Sequence, residues 1–136
     1  MNFRNVRNGV IVVAHPDDET LWCGGLVLRY PARFQVICCS IPQRDPIRAW
    51  KFYDACYRLG VRRSRVLPVT EPDASSGFGH LPSMLDLSDF DCIVTHNAIG
   101  EYGHKQHISV HEYVRSRWAD RMITFGYGLP PGGPNW

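Results

Sequence analysis

The sequence has no apolar run of the roughly 18 residues that a membrane-spanning helix requires. Its formal net charge is only +2, which by itself does not indicate binding to nucleic acid or to a membrane surface. The polar segment from Met1 to Asn8 contains no signal-peptide core. We therefore expect a cytoplasmic protein with no nucleic-acid partner and no stable membrane insertion.

Cysteine pairs of the metal-binding or redox type are also missing. The chain has 5 cysteines, an odd number, and no CxxC spacing. Each cysteine falls in an apparent helix or strand, where a free thiol behaves as a small buried apolar group. We expect reduced thiols and no thiolate metal site. The residues concerned are Cys23, Cys38, Cys39, Cys56 and Cys92.

Three common functional motifs are absent as well. There is no GxGxxG, no GxxxxGK[ST] and no GxSxG, so dinucleotide binding, P-loop chemistry and a serine nucleophile elbow have no support. The chain is 136 residues long with 44% apolar residues, which suits one globular domain over residues 1–136. Residues 128–136 are expected to form an extended tail.

Apolar strands that alternate with helices dominate what is present. Continuous Val/Ile-rich runs are typical of strands buried on both faces of a parallel sheet. The strands are predicted at 9–13, 34–41, 65–69, 91–95 and 121–127, the helices at 20–29, 46–59 and 106–118, and a mostly irregular segment at 71–89.

This alternation predicts an α/β fold: a single Rossmann-like, three-layer domain with a mainly parallel five-stranded sheet. Right-handed crossovers favour the strand order 3-2-1-4-5. Strands 1 and 4 are then neighbours whose connections leave in opposite directions, and ligands bind at such a switch point.

Two polar motifs follow those two strands. The first is Ala14-His15-Pro16-Asp17-Asp18-Glu19, and the second is Gly103-His104-Lys105-Gln106-His107, with His111 four residues further on. Taken alone, the first motif can be an acidic helix start and the second a polar helix face. Two histidines and one carboxylate also match the facial triad of non-haem iron enzymes. A plain α/β domain with structural histidines is a further alternative.

Together the motifs favour a zinc hydrolase, whose metal has three nitrogen or oxygen ligands. His15, Asp18 and one histidine of the second motif can supply these ligands. Successive helical residues point about 100° apart, so Asp17 faces elsewhere than Asp18 and can take a proton from the attacking water. The remaining histidine would stabilise the oxyanion.

The sequence resembles the GlcNAc-phosphatidylinositol de-N-acetylase family (PIG-L/LmbE-like), whose signature is AHPDDE after the first strand and a later GHxDH. The resemblance implies a zinc-dependent enzyme with one Zn²⁺ per chain, which removes acetyl from an N-acetylated amino sugar (N-acetylglucosamine-type) or its conjugate. It implies that His15, Asp18 and His107 bind zinc. Asp17 would be the general base that activates the zinc-bound water, and His104 the acid or oxyanion partner.

The same resemblance implies a small-molecule sugar substrate, which would contact Arg48 and Tyr102. Asn97, which follows the fourth predicted strand, is a further candidate for substrate binding. Two positions depart from the family pattern. Gln106 replaces an aspartate, which is expected to make His104 less readily protonated, and Lys51 replaces a glutamate of the family's helix motif.

A second hypothesis belongs to a different class of protein. The chain is much shorter than most family members, so it is also compatible with a truncated, catalytically weak relative that acts as a metal- or sugar-binding accessory protein. A homo-oligomer could complete the site, with Trp118, Tyr127 and Trp136 at the interface between subunits. Tryptophans near the end of a chain can instead belong to the hydrophobic core or cover it.

Overall fold

The computed structural model describes residues 2–42, 45, 47–81 and 85–126. Five strands and four helices follow one another in these ranges, with two 3₁₀ turns at Phe3–Asn5 and Ala119–Arg121. The strands are β1 (Gly9–Val13), β2 (Phe34–Cys38), β3 (Arg63–Val66), β4 (Cys92–Thr95) and β5 (Met122–Thr124). The helices are α1 (Asp18–Arg29), α2 (Ile47–Arg58), α3 (Gly100–Gly103) and α4 (Lys105–Trp118).

The five strands form one parallel sheet in the order β3-β2-β1-β4-β5. This confirms the predicted fold class and strand order. Val12 in β1 is paired with Ile37 in β2 on one side and with Thr95 in β4 on the other. The carboxyl ends of β1 and β4 are therefore adjacent, at the switch point of the sheet.

Both faces of the sheet are covered, because consecutive residues of β1 point to opposite sides. On one side Ile11 and Val13 belong to a buried cluster that includes residues of α1 and α2. On the other side Val10 and Val12 belong to a cluster with residues of α4. All of β1 is thus buried, and burial on both faces accounts for its uninterrupted apolar sequence.

Several boundaries differ from the prediction. The second strand ends at Cys38, and Ile41 forms only an isolated bridge with Thr70. The third strand lies at Arg63–Val66, two residues before the predicted start. It is an edge strand with exposed arginines, so its apolar pattern is weak. The fifth strand is shorter than predicted, and Tyr127 and the tail lie outside the described residues.

All five cysteines are buried and free, as expected from their positions in helices and strands. No helix within the described ranges is both long enough and apolar enough to cross a membrane.

Candidate metal centre

The two polar motifs meet at the switch point. His15 and Asp18 follow β1, and His107 lies on α4, which follows β4. Because β1 and β4 are parallel neighbours, both chain segments leave the sheet at the same edge. His15, Asp18 and His107 are 6%, 3% and 0% exposed, so three polar groups share a site that is almost closed to solvent.

Three ligand-type atoms of these residues form a nearly equilateral triangle. His15 Nδ1 lies 3.3 Å from Asp18 Oδ2, His107 Nε2 lies 3.4 Å from the same oxygen, and the two nitrogens are 3.2 Å apart. A tetrahedral zinc with bonds of about 2.0–2.1 Å spaces its ligands by about 3.3 Å. The triangle therefore has the dimensions of a zinc coordination face.

The hydrogen bonds of Gln106 define which nitrogen of His15 faces this triangle. The amide nitrogen of Gln106 donates to the backbone carbonyls of Pro72, at 2.9 Å, and Asp73, at 3.3 Å. Its oxygen is therefore the atom that contacts His15 Nε2, and this nitrogen must carry a proton to donate. His15 Nδ1 is left with its lone pair directed at Asp18 and His107.

His107 is oriented in the same way by Glu101. The Nδ1 atom of His107 lies 2.6 Å from Glu101 Oε2. Burial alone would raise the pKa of Glu101, but hydrogen bonds from His107, His96 and the Asn97 backbone lower that pKa to about 2. An ionised carboxylate only accepts, so His107 Nδ1 carries the proton and Nε2 offers its lone pair to the triangle.

Asp18 is held ionised between these groups. Its oxygens accept the backbone N–H of His15, at 2.9 Å, and the indole N–H of Trp22, at 3.3 Å. Burial opposes the charge, yet the neighbouring rings of His15, His96 and His107 keep the pKa of Asp18 well below its usual range. Burial likewise opposes a charge on His15, but Asp18 raises the pKa of that histidine. A cation at the centre, either a proton or a metal, would satisfy all three atoms of the triangle.

Two overlapping donor groups of the described chain could hold a metal: His15, His104 and His107, and Asp18, His96 and His107. In the second group His96 Nε2 already accepts the backbone N–H of Ala14 at 3.0 Å. That nitrogen is thus committed to the backbone. The triangle takes His15 from the first group, Asp18 from the second and His107, which belongs to both. It does not include His96, whose nitrogen accepts the backbone N–H of Ala14.

His104 lies beside the triangle at the start of α4. Its Nδ1 accepts the backbone N–H of Gln106 at 3.3 Å, as the helix N-cap. Burial, followed by the charges of His15 and His107, lowers the pKa of His104 to about 4. A neutral His104 with Nδ1 as acceptor carries its proton on Nε2. The ring can therefore act as a neutral hydrogen-bond donor.

Asp17 and Arg48 lie outside the triangle, at a cleft between α1 and α2. Arg48 Nη2 is 2.6 Å from Asp17 Oδ2, and the Asp17 side chain is 52% exposed. Both residues line a cavity of about 540 Å³, together with Lys51 and Asp45. The structure thus brings the predicted general base and the predicted substrate arginine into direct contact.

Tyr102 and Asn97 occupy different surroundings. Tyr102 is 64% exposed, with its ring centroid 5.6 Å from that of His107 and 5.8 Å from that of His104, so it stands at the mouth of the site. The Asn97 side chain instead accepts the backbone N–H groups of Ile99 and Glu101, both at 3.0 Å, and donates to Phe125 at 3.3 Å. These bonds shape the loop after β4, and a contact between Asn97 and substrate stays a prediction.

Sequence reasoning missed two buried residues and misassigned the partner of a third. His96 and Glu101 received no role, although His96 follows β4 directly, as the first motif follows β1. His104 is indeed less readily protonated than a free histidine, as its lowered pKa shows. The first cause is burial, however, and the Gln106 side chain contacts His15 instead. The spacing of a motif does not reveal which way a side chain points, so this partner could not be read from the chain.

The fold and site describe an α/β protein with a candidate His/Asp metal centre at the switch point of a parallel sheet. No family model matches the chain, and no solved structure matches it. The chain is similar to proteins named 1D-myo-inositol 2-acetamido-2-deoxy-alpha-D-glucopyranoside deacetylase. It is 25% identical to that of Actinosynnema mirum, over 85% of this chain and 56% of the relative.

Two further relatives carry the same name. The protein numbered 1 of Saccharopolyspora erythraea is 29% identical, over 76% of this chain and 50% of its own length. The protein numbered 1 of Frankia casuarinae is 28% identical, over 96% of this chain and 56% of its own length. The chain thus spans about half the length of the curated relatives it matches.

Proposed function

We propose that this protein is a zinc-dependent hydrolase of the PIG-L/LmbE-like type, which removes acetyl from an N-acetylated amino sugar or its conjugate. The triangle of His15, Asp18 and His107 carries the proposal, because three acceptor atoms converge there at the spacing of zinc ligands. The relatives support the reaction, since their names describe deacetylases of a 2-acetamido-2-deoxy-glucopyranoside.

The donor set suits one zinc ion. Two neutral imidazoles and a carboxylate are typical zinc ligands, and three protein ligands are the usual number at a catalytic site. When bound, the ion would polarise the acetyl carbonyl and lower the pKa of a water to about 7. His15, Asp18 and His107 would hold it, each fixed in place by a partner outside the triangle.

In this proposal Asp17 is the general base. Its carboxylate is not part of the triangle, and it is open to solvent at the cleft, so it can take a proton from the attacking water. Hydrolysis adds the hydroxyl of that water to the acetyl carbon and a proton to the sugar nitrogen. The C–N bond breaks, and acetate and a free amine are released.

His104 would stabilise the charge that develops on the acetyl oxygen. Its ring is neutral at pH 7, and its free Nε2–H group can donate to an oxyanion. The Nδ1 bond to the start of α4 holds the ring in place before substrate arrives. A donor that needs no reorientation during the reaction is the kind that contributes most to catalysis.

The substrate would lie between the triangle and the cleft. The cleft volume of about 540 Å³ falls within the roughly 300–1,000 Å³ typical of small-molecule sites. Arg48 would contact the sugar or its aglycone from α2, and Tyr102 would cover it at the mouth. Substrate binding there would compete with, or reorganise, the Arg48–Asp17 contact.

An acetate-release assay with zinc-loaded, tag-free protein on a panel of N-acetylated amino sugars and glycosides tests the proposal. We expect Asp17→Asn to lower kcat by about 10²–10⁴-fold with zinc content unchanged. Asp54→Asn, at an exposed carboxylate of α2 that does not line the cleft, is the matched control and should retain activity. Equal acetate release by wild type and Asp17→Asn would contradict the assigned base. Zinc and sugar binding without turnover of any substrate would instead support the accessory protein.

A further inference from the structure

Glu101 is a buried carboxylate that gathers hydrogen bonds from three separate groups. Its Oε2 atom lies 2.6 Å from His107 Nδ1 and 2.8 Å from His96 Nδ1. Its Oε1 atom accepts the backbone N–H of Asn97 at 2.8 Å. The residue is only 2% exposed, so these donors take the place of water around its charge.

The backbone at Glu101 is strained. Its φ angle is +59°, in a region that non-glycine residues rarely adopt because of its steric cost. The flanking positions with positive φ in this short turn are glycines, Gly100 and Gly103. A glycine would relieve the strain at position 101 but would supply no carboxylate. The contacts of the side chain therefore outweigh the cost in the backbone.

His96 extends the contacts of Glu101 to the first motif. Its Nδ1 donates to Glu101, and its Nε2 accepts the backbone N–H of Ala14 at 3.0 Å. Ala14 directly precedes the candidate ligand His15. On the other side, His111 Nδ1 donates to the carbonyl of His96 at 2.8 Å. One carboxylate thus connects the loop after β1 with helix α4.

We propose that Glu101 is a positioning residue, which sets the tautomer of His107 for metal binding and, through His96, holds the two ligand-bearing motifs in register. The inference rests on the proposed metal centre and adds to it the group that prepares the centre before a metal arrives. A carboxylate behind a ligating histidine commonly fixes the ring and raises its basicity. Here the same carboxylate serves two histidines, of which only His107 is a ligand.

A glutamine at position 101 cannot replace the carboxylate. Three donors face it, from His96, His107 and Asn97, and an amide offers one oxygen and an NH₂ group that itself donates. The NH₂ group of the glutamine would then face one of these N–H groups, and neither of the two would have an acceptor. His107 can relieve this conflict by moving its proton to Nε2, the atom that faces the triangle, and a protonated nitrogen cannot bind zinc.

The test is zinc affinity of the full chain, measured by competition with a chelator on wild type, Glu101→Gln and Glu112→Gln. Glu112 is an exposed carboxylate on α4 and provides the matched control. We expect Glu101→Gln to bind zinc about 10–100-fold more weakly, with Glu112→Gln unchanged and all three proteins folded by circular dichroism. Unchanged affinity in a folded Glu101→Gln protein would overturn the proposal.

Nitrogen-15 NMR of metal-free wild type keeps the inference testable even where Glu101→Gln does not fold. We expect His107 and His96 to carry their protons on Nδ1, whereas an Nε2–H tautomer for His107 would overturn the inference. Neither readout depends on turnover. Wild type that binds zinc without releasing acetate would count against the proposed reaction, while the role of Glu101 would be decided by the affinities and the tautomers.

Discussion

Arg48 on α2 donates a 2.6 Å hydrogen bond to Asp17 at the start of α1. The sequence predicts separate roles for them, a substrate contact for Arg48 and the general base for Asp17. Their contact means that the cleft between α1 and α2 positions the proposed base and is also where the proposed substrate would bind. Both side chains are partly exposed, 31% for Arg48 and 52% for Asp17, so the pair contributes little to stability.

The first prediction compares this pair with a second one on the same helix. Arg58 pairs with Asp54 at 2.8 Å, and both are well exposed. Exposed pairs contribute about 0.2–1 kcal/mol, so Arg48→Ala and Arg58→Ala should both change the free energy of unfolding by less than about 1 kcal/mol. Only Arg48→Ala should lower kcat/KM, by about 10–100-fold for a lost charged hydrogen bond. Similar losses of activity in both variants would argue against a specific role for Arg48.

The second prediction concerns metal removal. The proposed zinc centre exists in the folded state alone, so zinc at about 100 times its Kd should stabilise the protein by about 2.7 kcal/mol. Asp18→Asn should abolish this gain, since it removes the charged ligand. His80→Ala, at an exposed histidine, should keep it. Thermal unfolding with zinc and with a chelator measures the difference, and an equal gain in Asp18→Asn would place the zinc elsewhere.

The third prediction concerns the amide of Gln106. Its NH₂ group donates to the carbonyls of Pro72 and Asp73 while its oxygen accepts from His15. Gln106→Glu keeps the size of the side chain but leaves those carbonyls facing a carboxylate oxygen. We expect a loss of about 1–3 kcal/mol in urea unfolding. Gln35→Glu, at a half-buried surface position, should cost clearly less. Equal stability of Gln106→Glu and wild type would show that the amide is not required.

The fourth prediction follows from the thiols. Burial raises the pKa of Cys39 and Cys56 to about 12 and that of Cys92 to about 11. The native protein should therefore resist a thiol reagent at pH 8, and all 5 cysteines should react once urea unfolds it. Rapid labelling of native protein would contradict the buried positions.

The raised pKa values of these thiols also make the free energy of unfolding depend on pH. The folded pKa values lie above the unfolded value of about 9, so the unfolded chain releases thiol protons first as pH rises. The contribution of these groups to stability is complete below pH 9 and is lost as pH rises towards 12. Urea midpoints across this range, with Cys92→Ala as comparison, measure it. A midpoint that increased from pH 9 upwards would contradict the sign.

The sequence determined the architecture and the candidate ligand set. Gly9–Val13 is apolar throughout because it is buried on both faces. The alternation of strands and helices limits the sheet to a few strand orders, which include the one observed. That order brings the ends of β1 and β4 together, which predicted one site for His15, Asp18 and a histidine of the second motif. The choice of His107 over His104 came from the family resemblance. The hydrophobic pattern and the order of the elements are both visible in the linear sequence, so they can be read without coordinates.

The tertiary structure decided which side chains act on one another. Gln106 and His15 are 91 positions apart, and their contact depends on the direction that each side chain takes after the backbone has folded. The same holds for Glu101, whose strained turn directs its carboxylate towards His96 and His107. It holds too for Arg48 on α2, which contacts Asp17 at the start of α1. These pairings arise from packing between distant segments, and a linear sequence carries no local signal of them.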